Sequence, residues 1–450
     1  MGVAASFVSA SLTPAHAVPS FAAQTGMPCK MCHIGALGPQ LTPYGRNFKI
    51  KGYTIAGGEG LASQYHFALW TQEGYQNVQK PNPQATTPHF ADNNNVFFQA
   101  VSLFYSGRFT DHIGAFLQAT YDNTAKVFAQ DNSDIRVVGD TTVSGHDVDY
   151  GVSFNNAPGW TDPYNSNYLW GFPYISSFLQ PGPNAGTILA GTEQDNSWGI
   201  VPYAWIDQHI FIDAGLYKSQ SPWYLKTFGE TYGAGSTTGV EPYVGGEYAW
   251  FWGQQNAHVG VTFFEGRYNP GLNAKGRGAS GAFGHDKYDD VLVHGGYQYI
   301  SDEDTPVNVF TADALFDYEH QHLEGSSPGQ PDNHLLEFSP WATYYYKETF
   351  GFNVKFDKIW GNHNPFLYNT GATDSTGSWK GSPNSTYWVL EADWVPFGKE
   401  DSFWRPFINA KVGLQYTIYT QFNGSSTNYD GLGHNASDNN TLFLFIWDVF

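Results

Sequence analysis

The chain reads as an all-β protein, an antiparallel transmembrane β-barrel of about sixteen strands with a small unit ahead of it. Three observations lead there. Aromatic residues make up 17% of the 450 residues (29 Tyr, 34 Phe, 15 Trp), whereas charged residues make up only 14%. Mean hydropathy is −0.38, and no apolar run approaches the eighteen or so residues of a membrane helix. From about residue 64 onward, apolar and polar side chains alternate over segments of ten or more residues with Trp and Tyr near the ends. That is the pattern of a lipid-facing band with aromatic girdles. A water-soluble sandwich also alternates, but in shorter segments with less aromatic capping.

In chain order, residues 1–17 read as a secretory signal, with Ala15-His16-Ala17 as a small-residue cleavage site before Val18. No Lys or Arg precedes Lys30, so the usual basic start is missing and the segment reads as truncated. Residues 18–60 form a small unit rich in Gly, Pro and small side chains, and 61–450 the barrel.

The small unit contains Cys29-Lys30-Met31-Cys32-His33, with the only two cysteines of the chain. This spacing is the signature of covalent c-type haem attachment. Two thiols three residues apart on one turn each form a thioether to a haem vinyl group, and His33 becomes the proximal axial ligand of the iron. A thioredoxin-like redox pair would want a βαβ setting, and a structural zinc site would want four ligands. Neither is present in the pattern. About forty residues cannot bury enough surface to fold alone. One covalent haem c would staple them, and the barrel is expected to supply a wall. Arg46, Lys49 and Lys51 cluster here in an otherwise acidic chain; haem propionates are a partner for Arg46 and Lys49, and a solvated basic face explains them equally well.

Within the barrel, Asn308–Tyr318 puts Phe310, Phe316 and Tyr318 on one face and Thr311, Asp313 and Asp317 on the other. Tyr387–Val395 alternates Trp388, Leu390 and Trp394 against Glu391 and Asp393, and Arg405–Tyr419 behaves likewise. Short connections fall at 110–112, 207–208, 253–256, 301–305, 347–349 and 397–402. Long ones fall near 77–94, 122–145, 219–239, 267–286, 320–334, 360–384 and 421–439. Outer-membrane barrels turn tightly on the periplasmic side and loop widely outside. Alternation breaks only at 155–196, which predicts a hidden strand around Asn167–Tyr174 and a total of sixteen. Both chain ends then lie on the periplasmic side, and the lumen is aqueous. The closing segment ends in Phe450, with Asp448 where an aromatic is commoner.

The net charge of −20 argues against nucleic acid. Glu247, Asp290, Asp313, Asp317, Glu337, Glu391 and Asp393 fall on the polar, lumen-facing set, against Lys355, Arg405 and Lys411. Such a lumen concentrates cations, although any porin lumen carries carboxylates. Beyond the signal, only Met27 and Met31 remain, both beside the cysteines, so a His/Met haem is disfavoured. His66 is the nearest histidine after the unit and a candidate sixth ligand. His320 and His322 fall in an expected outer loop, as metal ligands or as plain polar residues. The acidic turns at 302–304 and 400–401 would face a basic periplasmic cytochrome.

The string VPSFAAQTGMPCKMCH, followed by LTPYGRNFKIKGY and a barrel of this length, resembles the fused monohaem cytochrome–porins of the bacterial outer membrane, whose best-known members are iron oxidases. The resemblance is specific over residues 18–54 and architectural beyond. It implies electron transfer through one haem, attached by Cys29 and Cys32 with His33 below the iron, from an external donor such as Fe(II) to a periplasmic carrier. No acid–base pair or nucleophile is expected. A solute porin with a haem-bearing plug or redox gate, and electron export to an external acceptor, remain alternatives.

Overall fold

The computed structural model describes residues 18–82, 87–194, 197–229, 236–270, 284–301, 308–369, 377–399, 402 and 407–450. Sixteen antiparallel strands close into a barrel. β1 runs Phe67–Val78, β2 Asn95–Arg108, β3 Ile113–Asp122 and β4 Val127–Val143. β5 is His146–Asn155, β6 Ser197–Ile206, β7 Ile210–Ser219 and β8 Glu241–Trp252. β9 is Gln255–Asn269, β10 Asp286–Ile300, β11 Asn308–Leu323 and β12 Asp332–Tyr346. β13 is Phe350–Gly361, β14 Ser385–Trp394, β15 Asn409–Gln421 and β16 Thr441–Val449. Each strand pairs with the next, and β16 returns to β1 with Val449 opposite Trp70. A two-residue segment, Ser236–Thr237, adds to the end of β9 without being a wall strand.

The period-two alternation is inside out relative to a water-soluble protein. On β11, Phe310, Phe316 and Tyr318 are exposed, whereas Thr311, Asp313 and Asp317 are buried. The same holds on β14 for Trp388, Leu390 and Trp394 against Glu391 and Asp393. An outer apolar face and an inner polar face fix the register, since a one-residue slip would exchange them. One end of the barrel carries tight turns. Asp207-Gln208 and Lys347-Glu348 each place two successive residues at positive φ, and Ser144-Gly145 does the same. That is the two-residue hairpin geometry whose twist matches the strands.

The strand count agrees with the sequence, but the strand that restores parity lies elsewhere. Residues 122–145, read as a long loop, contain β4. Residues 167–174, read as a strand, hold only a 3-10 turn at Tyr168–Trp170. The reason is physical: β4 carries Asn132, Asp134 and Arg136 inward, where polar neighbours satisfy them, so it lacks an apolar stripe. Residues 156–194 instead fold into the lumen from the long-loop end. Tyr419 Oη donates to Pro181 O (2.6 Å), Gln415 Nε2 to Ile175 O (2.9 Å) and the Asn184 amide to Asn423 Oδ1 (3.0 Å).

The N-terminal unit occupies the lumen at the tight-turn end. It has three short helices: α1 Pro19–Thr25, α2 Cys29–Cys32 and α3 Pro43–Ile50. Helices this short are marginal in water, so the barrel must hold them. Pro19 opens α1 and Gly26 at φ 75° ends it; Thr42 caps α3 by accepting from the Gly45 amide (3.2 Å). Asn409 Nδ2 donates to Ala36 O (2.7 Å), Gln40 Nε2 to Asp313 Oδ2 (2.6 Å) and Tyr203 Oη to Ile50 O (2.6 Å). The unit and the inward loop meet in mid-lumen, where Asn165 Nδ2 donates to Pro39 O (2.7 Å) and Trp160 Nε1 to Tyr53 Oη (3.2 Å).

Candidate functional site

The C-x-x-C-H segment forms one helical turn, Cys29–Cys32, entered from Pro28 and left at His33 in extended conformation. The His33 amide closes the turn on Cys29 O (3.0 Å). His33 then bridges to Leu41, and the Thr42 amide donates to Cys32 O (3.0 Å), so the return strand and α3 are built onto the turn. Gly45 must be glycine for this packing: a β-carbon there would lie 2.2 Å from Cys32 O.

Cys29 and Cys32 form no disulfide, and both residues are partly exposed. Lys30, on the same turn, is buried, and its amide donates to Gly398 O (3.2 Å). The turn is therefore seated in the barrel through Lys30, with Cys29, Met31, Cys32 and His33 partly covered. Burial pushes the Cys32 thiol up to about 12, with Cys29 adding to it. Burial also lowers His33 to about 4 against an opposing contact with the Gly38 backbone, so the imidazole is neutral and able to ligate a metal. Its Nδ1 is buried with no hydrogen-bond partner. Two thiols on one turn and a neutral imidazole beside them with one ring nitrogen unpartnered fit a covalent haem, with Cys29 and Cys32 as thioether donors and His33 as axial ligand.

Arg46 and Lys49 lie on α3 and face protein. Arg46 Nη1 donates to Gln298 Oε1 (2.7 Å), and its guanidinium sits 4.1 Å from the Tyr164 ring centroid. Lys49 Nζ donates to Asp162 O (2.6 Å) and lies over Trp170. They pin the unit to the wall and to the inward loop, so they are not a solvated basic face. Lys51 pairs with Asp149 (2.9 Å).

His66 is not brought to His33. Its ring packs on Tyr105 (5.9 Å) and Phe109 (6.3 Å), and a β-carbon on Gly107 would strike its Nδ1. Tyr105 in turn packs on Phe67, which is 74% exposed. His66 thus lies on the outer face of the wall. His320 and His322 belong to the end of β11 rather than to a loop, and His322 Nδ1 pairs with Asp332 (2.6 Å). Glu247, Asp290, Asp313, Asp317, Glu337, Glu391 and Asp393 are all buried on the inner face. Arg405, the acidic turns at 302–304 and 400–401, and the signal at 1–17 lie outside the described residues.

Two inner groupings were missed in the sequence. Asp134 and Arg136 form a fully buried ion pair (2.6 Å), and Arg136 also donates to Lys49 O (3.0 Å) and Trp160 O (3.2 Å), joining wall, unit and loop. Glu247, His258 and His294, from β8, β9 and β10, each offer a ligand atom within 4.8 Å of the other two. The signal for the second was present: all three sit on the polar set of their strands, beside the glycines Gly260 and Gly296. Their convergence depends on register, which a single sequence does not display.

No family model matches the chain, and no curated protein matches it. Among solved structures, it is similar to OmpT, an outer membrane protein of Vibrio cholerae, at 9% identity over 85% of this chain and 96% of that one, with a TM-score of 0.41. An anion-selective porin from Comamonas acidovorans overlaps at 12% identity over 85% and 98%, TM-score 0.42. The outer membrane channel DcaP of Acinetobacter baumannii overlaps at 9% over 85% and 96%, TM-score 0.41. At these levels the fold rests on the chain's own strand pairing.

Proposed function

We propose that the chain is an outer-membrane barrel that carries one covalent haem in its lumen and transfers single electrons from an external donor, Fe(II) foremost, to a periplasmic carrier such as a soluble cytochrome. The observation that carries this reading is a C-x-x-C-H turn, its cysteines unbridged and partly exposed, held inside a closed barrel whose outer face is apolar. The outer face suits lipid, and tight turns at one end with long loops at the other suit a periplasmic and an external side. The haem unit then sits toward the periplasm, within reach of a docking carrier. A haem supplies one-electron chemistry: one Fe(II) gives up one electron and leaves as Fe(III), and the same electron passes to the carrier. The chain's residues hold the group, keep His33 neutral and surround it with carboxylates that draw in cations.

The test uses purified, haem-loaded protein mixed with Fe(II) at acidic and neutral pH. Haem reduction within the mixing time is expected, and Cys29→Ala and Cys32→Ala variants should lose covalent haem staining in outer-membrane fractions. An unreduced haem would refute the donor, and a colourless wild-type protein would refute the cofactor.

A second reading, a solute channel with a haem-bearing gate, is favoured by one observation, the inward course of residues 156–194. Ion conductance across a planar bilayer with no haem reduction would select it. The measured haem potential decides whether electrons run inward or out to an external acceptor.

A further inference from the structure

We infer that Glu247, His258 and His294 form a binding site for a divalent transition-metal ion in the middle of the lumen. Glu247 lies opposite Gly260, and Gly260 lies opposite His294, so the carboxylate and one imidazole straddle a glycine across three strands. His258 comes from the same strand as Gly260, two residues before it. The glycines make the room: a β-carbon at 260 would lie 2.4 Å from His294 Nε2, and one at 296 would lie 2.7 Å from the His258 ring.

A single hydroxyl ties the two rings together. His258 Nε2 lies 3.0 Å and His294 Nδ1 3.1 Å from Ser166 Oγ on the inward loop, and that hydroxyl is 3.4 Å from Asp162 Oδ2. Holding a ligand histidine by its other ring nitrogen is how proteins orient metal sites. Two atoms remain buried and without a partner, His258 Nδ1 and Glu247 Oε2. Both are potential ligand atoms of the cluster. All three side chains are at least nine-tenths buried.

Two imidazoles and one carboxylate select the ion. They suit Fe(II), Co(II) and Zn(II), whereas Mg(II) and Ca(II) prefer all-oxygen shells. Tyr164 stacks on His258 (3.8 Å) while also carrying Arg46 of α3, whose neighbour Gly45 packs on the cysteine turn. The cluster is thus joined to the haem unit by direct packing. The metal site stands on the barrel and loop alone; its use as the seat of the electron donor rests on the function proposed above.

The experiment takes the full-length protein, strips it with a chelator and loads it with Co(II). One Co(II) per chain retained through desalting, with N/O-type d–d bands and no displacement by excess Mg(II), is the expected result. A His258→Ala/His294→Ala double variant should lose it, and Glu247→Gln should bind about tenfold or more weakly. Wild-type protein that retains no Co(II), a double variant that retains as much as wild type, or thiolate charge-transfer bands marking the cysteine turn instead would each overturn the site. Should the double variant not fold, X-ray absorption of the Zn(II)-loaded wild type decides: two imidazoles in the first shell support the proposal and none overturns it. Haem staining of the same samples is independent, so a chain that binds Co(II) without haem keeps the site and loses only the donor role.

Discussion

Glu348 shows what docking the N-terminal unit does to a single side chain. It sits in the tight Lys347-Glu348 turn and is almost fully buried beside Gly35. Burial raises its carboxyl to about 8, against the Gly35 backbone, Lys30 and Lys399, which pull it down. Below about pH 4.5 both folded and unfolded chains hold this proton. Between there and 8 the folded chain keeps a proton that the unfolded chain gives up, so this group's contribution to stability falls as pH rises. Glu348→Gln removes that slope. The variant should gain on wild type from pH 5 to pH 8, by an amount on the order of a few kcal/mol, read as the temperature at which the barrel loses its compact gel mobility. An equal offset at every pH in that window would refute the assignment. The Asp134–Arg136 pair behaves differently, because removing one partner strands the other. Arg136→Met should cost about 3–5 kcal/mol, seen as a lower denaturant midpoint.

Among elements, the helices of the unit depend on close approach rather than on propensity. Gly45→Val would drive a side chain into the Cys32 carbonyl, a backbone atom that cannot step aside. Haem incorporation should fall severalfold while the barrel keeps its gel mobility; unchanged haem content would show that α3 does not support the turn. This is also the scale at which sequence reading divides. The Cys29–Cys32 turn was legible because it is local, a few consecutive residues. Strands β11, β14 and β15 were legible because their outer faces are apolar and their inner faces charged. β4 was not, since Asp134 and Arg136 look like loop residues until a polar lumen surrounds them. His258 and His294 lie 36 positions apart and meet only through the pairing of β9 with β10. Even Ser166, which ties them, comes from the inward loop, just ahead of the stretch 167–174 that reads as a strand and folds as a loop.

At the scale of the whole molecule, the barrel has exchanged its inside and outside. Leu414, near the centre of β15 and 48% exposed, lies on the apolar face. Leu414→Arg should destabilise the protein by about 2–4 kcal/mol if that position is at mid-membrane, measured by denaturant unfolding in lipid; a neutral result would remove β15 from the lipid face. The interior is filled from both ends, by residues 18–58 and by residues 156–194. Removing residues 19–58 should therefore open steady ion conductance in planar bilayers where the intact chain conducts little, and equal conductance would mean that the unit does not obstruct the lumen.

The pairing of β1 with β16 carries one more consequence, for biogenesis. Leu69 and Phe450 exchange backbone hydrogen bonds (2.9 and 2.7 Å), so this pair fastens the seam. The seam joins the first strand of the wall to the sixteenth, and such long-range closures are slow. The Cys29–His33 turn precedes all sixteen strands in the chain, whereas β16, which closes the wall around it, follows the other fifteen. On the function proposed above, maturation would run in that order: haem ligation onto an accessible segment, capture of that segment by a half-formed cylinder, and sealing.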